Sequence, residues 1–159
     1  TSSNASWLAD LTTKDGEAVE LSALSGKAVA LYFSAHWCPP CKRFTPILKD
    51  LYEEVNEDDA KFEVVFVSSD DSAALAKEYM EEMHGDWLMV SYDSPVREAL
   101  KQKFGCFAGK EQGKFPNSER RNGIPALVVV GQDGSELCFN GTSAVEGKGP
   151  AAVADWAVW

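Results

Sequence analysis

The stretch AVALYFSAHWCPPCKRFTP, residues 28 to 46, decides the fold. Its first part, Ala28–Phe33, is a continuous apolar run bounded by Gly26 and Ser34, the pattern of a strand buried on both faces. Its last part opens a helix. From Lys42 to Val55, apolar residues recur at Phe44, Ile47, Leu48, Leu51, Tyr52 and Val55, spaced three and four apart along one helical face. Pro46 lies inside that helix and predicts a kink. Between the two elements stand Cys38 and Cys41, so a pair of thiols sits where a buried strand hands over to a helix.

That junction has a chemical logic. A thiol at a helix N-terminus faces free N–H groups and the positive end of the macrodipole, which favour its thiolate near neutral pH. One helical turn brings the second sulfur within bonding reach, so the pair can close a small disulfide and reopen it by exchange. Pro39 and Pro40 suit this place, because neither needs to donate an N–H there. Cys38, on the exposed side of the turn, is the attacking thiolate. Cys41, deeper in the helix, resolves the mixed disulfide. Trp37 shields the pair and offers a flat apolar surface to a partner. His36 has two readings: a cation that lowers the pKa of Cys38 when protonated, or, more plainly, a solvated residue facing away.

Other readings of the cysteine pair are weaker. Structural zinc takes four ligands, usually as two close pairs, and here Cys106 and Cys138 stand alone while His84 has no near neighbour in sequence. A purely structural disulfide gains little from closing so short a loop. The expectation is therefore no metal and no cofactor besides the dithiol itself. A second feature fits. Ile124–Pro125 follows Gly123 and precedes the apolar run Ala126–Val130. The sequence leaves open whether this bond is cis. Beside a pair of exchanging thiols, a cis-proline facing the sulfurs is the favoured reading.

Moving outward, Trp7–Leu24 reads as an N-terminal turn with a short strand or hairpin. Phe62–Val67 is a second strand, followed by a helix over Ala73–Met83 and a short extended piece at Trp87–Tyr92. Pro95 opens another helix that stops at Gly105. Cys106–Asn122 is polar and glycine-rich without a period, and reads as a long loop. Ala126–Val130 and Glu136–Phe139 pair through an Asp133–Gly134 turn. Ala151–Trp159 closes the chain as a helix. The expected fold is α/β, a central mixed sheet flanked by helices with an N-terminal hairpin-like extension, forming one domain over residues 1–159.

Composition limits the partners. The chain carries a net charge of −10, which repels nucleic acid and anionic membranes. No apolar run reaches the roughly 20 residues of a membrane span, and no leader-like segment stands at Thr1. Four cysteines in 159 residues are too few for a disulfide-built scaffold. The expectation is a cytoplasmic monomer, with the nucleus also open to it.

The run from Leu31 to Pro46, with WCPPC at its centre, resembles the tryparedoxins and the redox domains of nucleoredoxins, a branch of the thioredoxin superfamily. Phe62–Ser69 followed by Asp70, then Trp87–Leu88, then Gly123–Leu127, continue the likeness in order. The resemblance implies a thioredoxin-like fold, Cys38 as nucleophile, Cys41 as resolving thiol and Pro125 as a cis-proline. It also implies partners: protein disulfides, peroxiredoxin-type peroxidases among them, and a donor such as the dithiol trypanothione or a reductase. Two departures stand out. Ordinary thioredoxins carry a buried Asp where this chain has Tyr32, as its branch does, and a tyrosine with a pKa near 10 is a poor base. The segment Cys106–Asn122 is an insertion before the cis-proline strand. Cys106 is read as a small apolar residue under that loop, with a regulatory or oligomerising thiol as the alternative, and Cys138 as structural. The patterns at Asn4–Ser6 and Asn140–Thr142 match glycosylation acceptors by chance.

Two functions follow. The leading one is a thiol–disulfide oxidoreductase that reduces protein disulfides. The alternative is a redox-regulated binding module with little turnover.

Overall fold

In the computed structural model, which describes residues 7–159, the chain opens with β1 (Leu11–Thr12) and β2 (Ala18–Val19). It continues through β3 (Ala28–Ser34), α1 (Pro39–Val55), β4 (Phe62–Ser68), α2 (Ala73–Met83), β5 (Leu88–Val90) and α3 (Pro95–Phe104). It ends with β6 (Ala126–Val130), β7 (Glu136–Cys138), α4 (Gly141–Lys148) and α5 (Ala151–Ala154). The seven strands form one sheet in the order β2-β1-β5-β4-β3-β6-β7. β3, β4 and β5 run parallel, while β6 and β7 on one side and the β1–β2 hairpin on the other are antiparallel. This is the mixed sheet with an N-terminal hairpin that the sequence predicts.

β3 is buried along its whole length because both faces of the sheet are covered. Ala28, Ala30 and Tyr32 face a core built with Phe44 and Leu48 of α1, Tyr79 of α2 and Trp156. Val29, Leu31 and Phe33 face the other core, with Leu8, Leu100 and Phe104 of α3, and Cys106. Burying each large apolar side chain here stabilises the fold by roughly 1.5–3 kcal/mol. β3 and β4 thus carry their carboxyl ends, Ser34 and Ser68, rigidly to one edge. In parallel α/β sheets that is the edge where functional groups gather.

α1 continues through Pro46 without a break. One sequence expectation gains detail and one needs correction. The long loop Cys106–Asn122 holds a 3-10 turn over Gly109–Lys114, and Cys106 bridges Asn122. Its buried member is the charged Glu111, so no apolar period announces the turn. The closing helix is only α5, and the unanticipated α4 precedes it, its two glycines and weak patterning hiding it from sequence. The Asn140–Thr142 pattern enters α4, and the Asn4–Ser6 pattern lies outside the described residues. Among the described residues, no helix is long and apolar enough to cross a membrane.

Candidate active site

Cys38 is the N-cap of α1, with Pro39 and Pro40 in the first turn, and it forms a disulfide with Cys41 across a Cα–Cα distance of 5.2 Å. The Cys41 N–H donates to Cys38 Sγ at 3.3 Å, so an orphan donor of the helix end points at the first sulfur. Cys38 is only 4% exposed, not the open thiol the sequence suggested, because Cys41, Ala35 and Ile124 pack around it. Cys41 is fully buried, which keeps the expected order of depth. The Ile124–Pro125 bond is cis, and the Ile124 carbonyl oxygen lies 3.8 Å from Cys38 Sγ, within reach of its S–H once the disulfide is reduced.

Beneath the dithiol, four hydroxyls with no solvent exposure join β3, α1 and α2. Thr45 donates to the Cys41 carbonyl at 2.7 Å. A hydroxyl has one proton, so the Tyr32 and Tyr79 hydroxyls, each 2.6 Å from Thr45 Oγ1, must donate to it. Tyr79, its proton committed, then accepts from Ser34 at 2.6 Å. Burial, and then the neighbouring Tyr79, push the Tyr32 pKa well above its ordinary value. Tyr32 is therefore a neutral donor that orients the first turn of α1 and not a base for Cys41.

The loop before Cys38 is clamped from β4. Asp70 Oδ1 accepts the His36 N–H at 2.7 Å, and Oδ2 accepts Ser68 Oγ at 2.8 Å. Burial raises the Asp70 pKa against these donors. Trp37 is 40% exposed, and its indole N–H donates to the Ser69 carbonyl at 3.0 Å. His36 does not face away into solvent: it is half-buried and stacked on Tyr79, with ring centroids 5.2 Å apart.

The 106–122 arm reaches the same edge. Its ends close on one residue, since the Arg121 and Asn122 N–H groups both donate to the Gly105 carbonyl. Gly105 has φ 67°, and a Cβ there would lie 2.7 Å from the Glu119 carbonyl oxygen, so only glycine fits. Glu111 ties the arm inward, accepting from Lys101 Nζ, Ser69 Oγ and the Ala108 N–H at 2.6, 2.6 and 3.0 Å. Burial pulls the Lys101 ammonium down to about 8 against the attraction of Glu111. Burial acts to raise the Glu111 carboxyl, but Lys101 and its other donors outweigh that and hold it below the ordinary range. The pair is charged at neutral pH. Next to it, Lys110 Nζ lies 4.1 Å from the centre of the Trp37 ring and pairs with Asp71 at 3.2 Å.

Sequence reasoning missed the roles of Thr45, Asp70, Tyr79, Lys101 and Glu111. For Asp70 a signal existed: a polar run directly after a buried strand. His84, weighed only as a metal ligand, is buried among Tyr79, Phe66 and Trp87 and accepts the Trp87 indole N–H at 2.8 Å. Cys106 is fully buried, and burial pushes its thiol up to about 12, which fits the small apolar role. Cys138 is half-buried in β7 against the core. Possible ligand atoms of His36, Glu78 and Glu82 lie within 4.8 Å of one another, but both glutamates are exposed and nothing enforces a metal geometry. A cavity of about 390 Å³ beside Ala28 and Trp156 lies at the opposite end of β3 and includes none of the site residues.

Comparison with known proteins agrees with this geometry. The thioredoxin-like family matches residues 26–136. Nucleoredoxin of Bos taurus is 36% identical over 132 residues, which are 82% of this chain and 26% of that protein. Probable nucleoredoxin 1 of Arabidopsis thaliana is 34% identical over 139 residues, 87% of this chain and 21% of the relative. The chain thus spans about a quarter of the length of the nucleoredoxins it matches. Among solved structures, a thioredoxin from Wuchereria bancrofti is 46% identical with a TM-score of 0.70, covering 90% of this chain and 89% of its own. Tryparedoxin from Trypanosoma brucei is 30% identical with a TM-score of 0.73, covering 98% and 96%. A dithiol at a helix start, a cis-proline beside it and these likenesses agree: the chain belongs to the thioredoxin-like family of thiol–disulfide oxidoreductases, in its tryparedoxin and nucleoredoxin branch.

Proposed function

We propose that this protein reduces protein disulfides, with Cys38 attacking and Cys41 resolving. The observation that carries this reading is the Cys41 N–H aimed at Cys38 Sγ at the start of α1. In the reduced protein that donor and the helix dipole stabilise a thiolate on Cys38 and not on Cys41. The thiolate attacks one sulfur of the target disulfide, forming a mixed disulfide and expelling the other target sulfur as a thiolate, which takes up a proton. Cys41 then loses its proton and attacks Cys38 Sγ. The second target thiol leaves, and the Cys38–Cys41 disulfide forms. Two electrons have passed to the target.

Trp37, Pro39, Pro40, Ile124 and Pro125 shape the surface that receives the target chain, and Tyr32 holds the turn in place. An external dithiol or a reductase restores the thiols. A dithiol of trypanothione type is one candidate, supported by a tryparedoxin II relative solved in complex with glutathionylspermidine. Peroxiredoxin-type peroxidases are candidate targets. No metal or other cofactor enters this scheme. A reducing compartment such as the cytoplasm suits it, since Cys106 and Cys138 are free.

The test uses insulin and dithiothreitol. The protein should speed precipitation of the insulin chains, and Cys38→Ser should abolish the effect. Cys41→Ser should hold Cys38 in mixed disulfide with its targets, identified by mass spectrometry. Full activity in Cys38→Ser overturns the assignment, and trapping by Cys38→Ser in place of Cys41→Ser reverses the two roles.

A further inference from the structure

Arg120 and Arg121 are neighbours in the arm with opposite fates. Arg121 is fully engaged: its fork makes two bonds to the Glu136 carboxylate, and its guanidinium lies 3.9 Å over the Phe139 ring. Arg120 is anchored but not consumed. Its Nε donates to the Phe107 carbonyl at 2.8 Å, while, among the described residues, its two terminal nitrogens meet no hydrogen-bond acceptor or carboxylate.

The backbone is shaped around this guanidinium. A Cβ on Gly123 would lie 2.5 Å from the Arg120 Nη2 atom, and a Cβ on Gly109 would lie 3.7 Å from it. The exposed guanidinium therefore lies close against the backbone at Gly123, with Gly109 in ordinary contact distance on the same arm. Gly123 immediately precedes Ile124, whose carbonyl faces Cys38 Sγ. The unpaired fork is thus at the border of the dithiol face, and Lys110 stands over Trp37 on the same arm. Charge sharpens the point. The arm carries four basic residues and two acidic ones, in a chain whose net charge is −10.

We propose that Arg120 is a carboxylate-binding site that reads an Asp or Glu side chain beside the target disulfide of a protein substrate. This deepens the reductase reading and rests on it. A guanidinium fork matches a carboxylate with two parallel bonds. The Nε bond to the Phe107 carbonyl restrains the guanidinium before binding, which lowers the ordering cost on association. An acidic partner is repelled by most of this surface and attracted at the arm, so the same contact sets the register of the target sulfur against Cys38.

Two disulfide peptides that differ only in Asp or Asn beside the target cysteine provide the test. The wild-type protein should show a KM about tenfold lower for the Asp peptide, with similar kcat for both. Arg120→Ala should erase that preference. Arg120→Lys, which keeps the charge without the fork, should retain only a small part of it. Arg120→Glu should invert it, favouring the Asn peptide, a result that misfolding cannot produce. Equal KM values in the wild type, or a preference that survives Arg120→Ala, overturns the carboxylate site and leaves the reductase reading intact. A wild-type protein that reduces neither peptide overturns the reductase reading, and this site with it.

Discussion

The Tyr79 hydroxyl lies 2.6 Å from Thr45 Oγ1, which joins α2 to α1 directly beneath the dithiol. Thr45 passes that restraint to the Cys41 carbonyl, so the first turn of α1 is held from below by groups that never touch a substrate. The Asp of ordinary thioredoxins is replaced here by a neutral, directed set of donors.

Removing one member strands the others. Tyr79→Phe should destabilise the protein by about 1–3 kcal/mol, because Ser34 loses its acceptor in a site without water contact. Tyr32→Phe should cost a similar amount. The double variant should cost less than the sum, since both hydroxyls serve the same Thr45 oxygen. Urea unfolding of all four proteins checks this, and strict additivity would refute a shared network.

The Lys101–Glu111 pair predicts a large asymmetry between one substitution and two. Lys101→Met leaves a carboxylate buried without its cation and should cost about 3 kcal/mol, or on the order of 6–12 °C in Tm. Adding Glu111→Gln should recover at least half of that loss, because the amide oxygen still accepts from Ser69 and Ala108. Thermal unfolding by circular dichroism measures both, and a single variant within 1–2 °C of wild type would show that the pair does not hold the arm.

His84 makes stability sensitive to acid. Burial, helped by the charges of Lys14 and His36, lowers its pKa well below the ordinary 6.5. Its Nδ1 accepts from Trp87, and among the described residues its Nε2 has no partner, so a second proton would bury an uncompensated charge. The unfolded chain takes up that proton near pH 6.5 and the folded one does not, so acidification favours unfolding. This contribution is full above pH 6.5 and declines as pH falls below it. Relative to His84→Gln, the wild type should lose stability between pH 7.5 and 5.5, by at most about 1.4 kcal/mol. Asp70 and Glu63, whose pKa values burial raises, act in the opposite direction in both proteins. The difference between the two stability profiles therefore isolates His84, and parallel profiles would rule the effect out.

Much of this was legible in the sequence, for identifiable reasons. Ala28–Ser34 announces a central strand because burial on both faces demands an unbroken apolar run. Two cysteines one helical turn apart at its end announce exchange chemistry, because spacing alone brings their sulfurs together. The hidden part depends on partners distant in sequence. Thr45 and Tyr79 read as ordinary helix positions until tertiary packing sets their hydroxyls side by side. Nothing in the sequence marks Lys101 or Glu111 for the interior, since burial of each is possible only because of the other. α4 has no strong apolar period, and it is packing against β6 and α1 that makes it a helix.

The closure of the arm on Gly105 has a consequence for how this scaffold can change. A segment that leaves and rejoins the fold at one point behaves as a cassette. Doubling the length of such a loop costs only about 0.6 kcal/mol in closure entropy, so its tip can be exchanged or extended while the sheet stays as it is. The sulfur chemistry is written on β3 and α1, and the address of the target on an exchangeable loop tip beside them. Engineering the second without disturbing the first is a matter of rewriting exposed residues between Gly109 and Arg120, with Glu111 kept as the latch and the buried Phe115 left against Phe107.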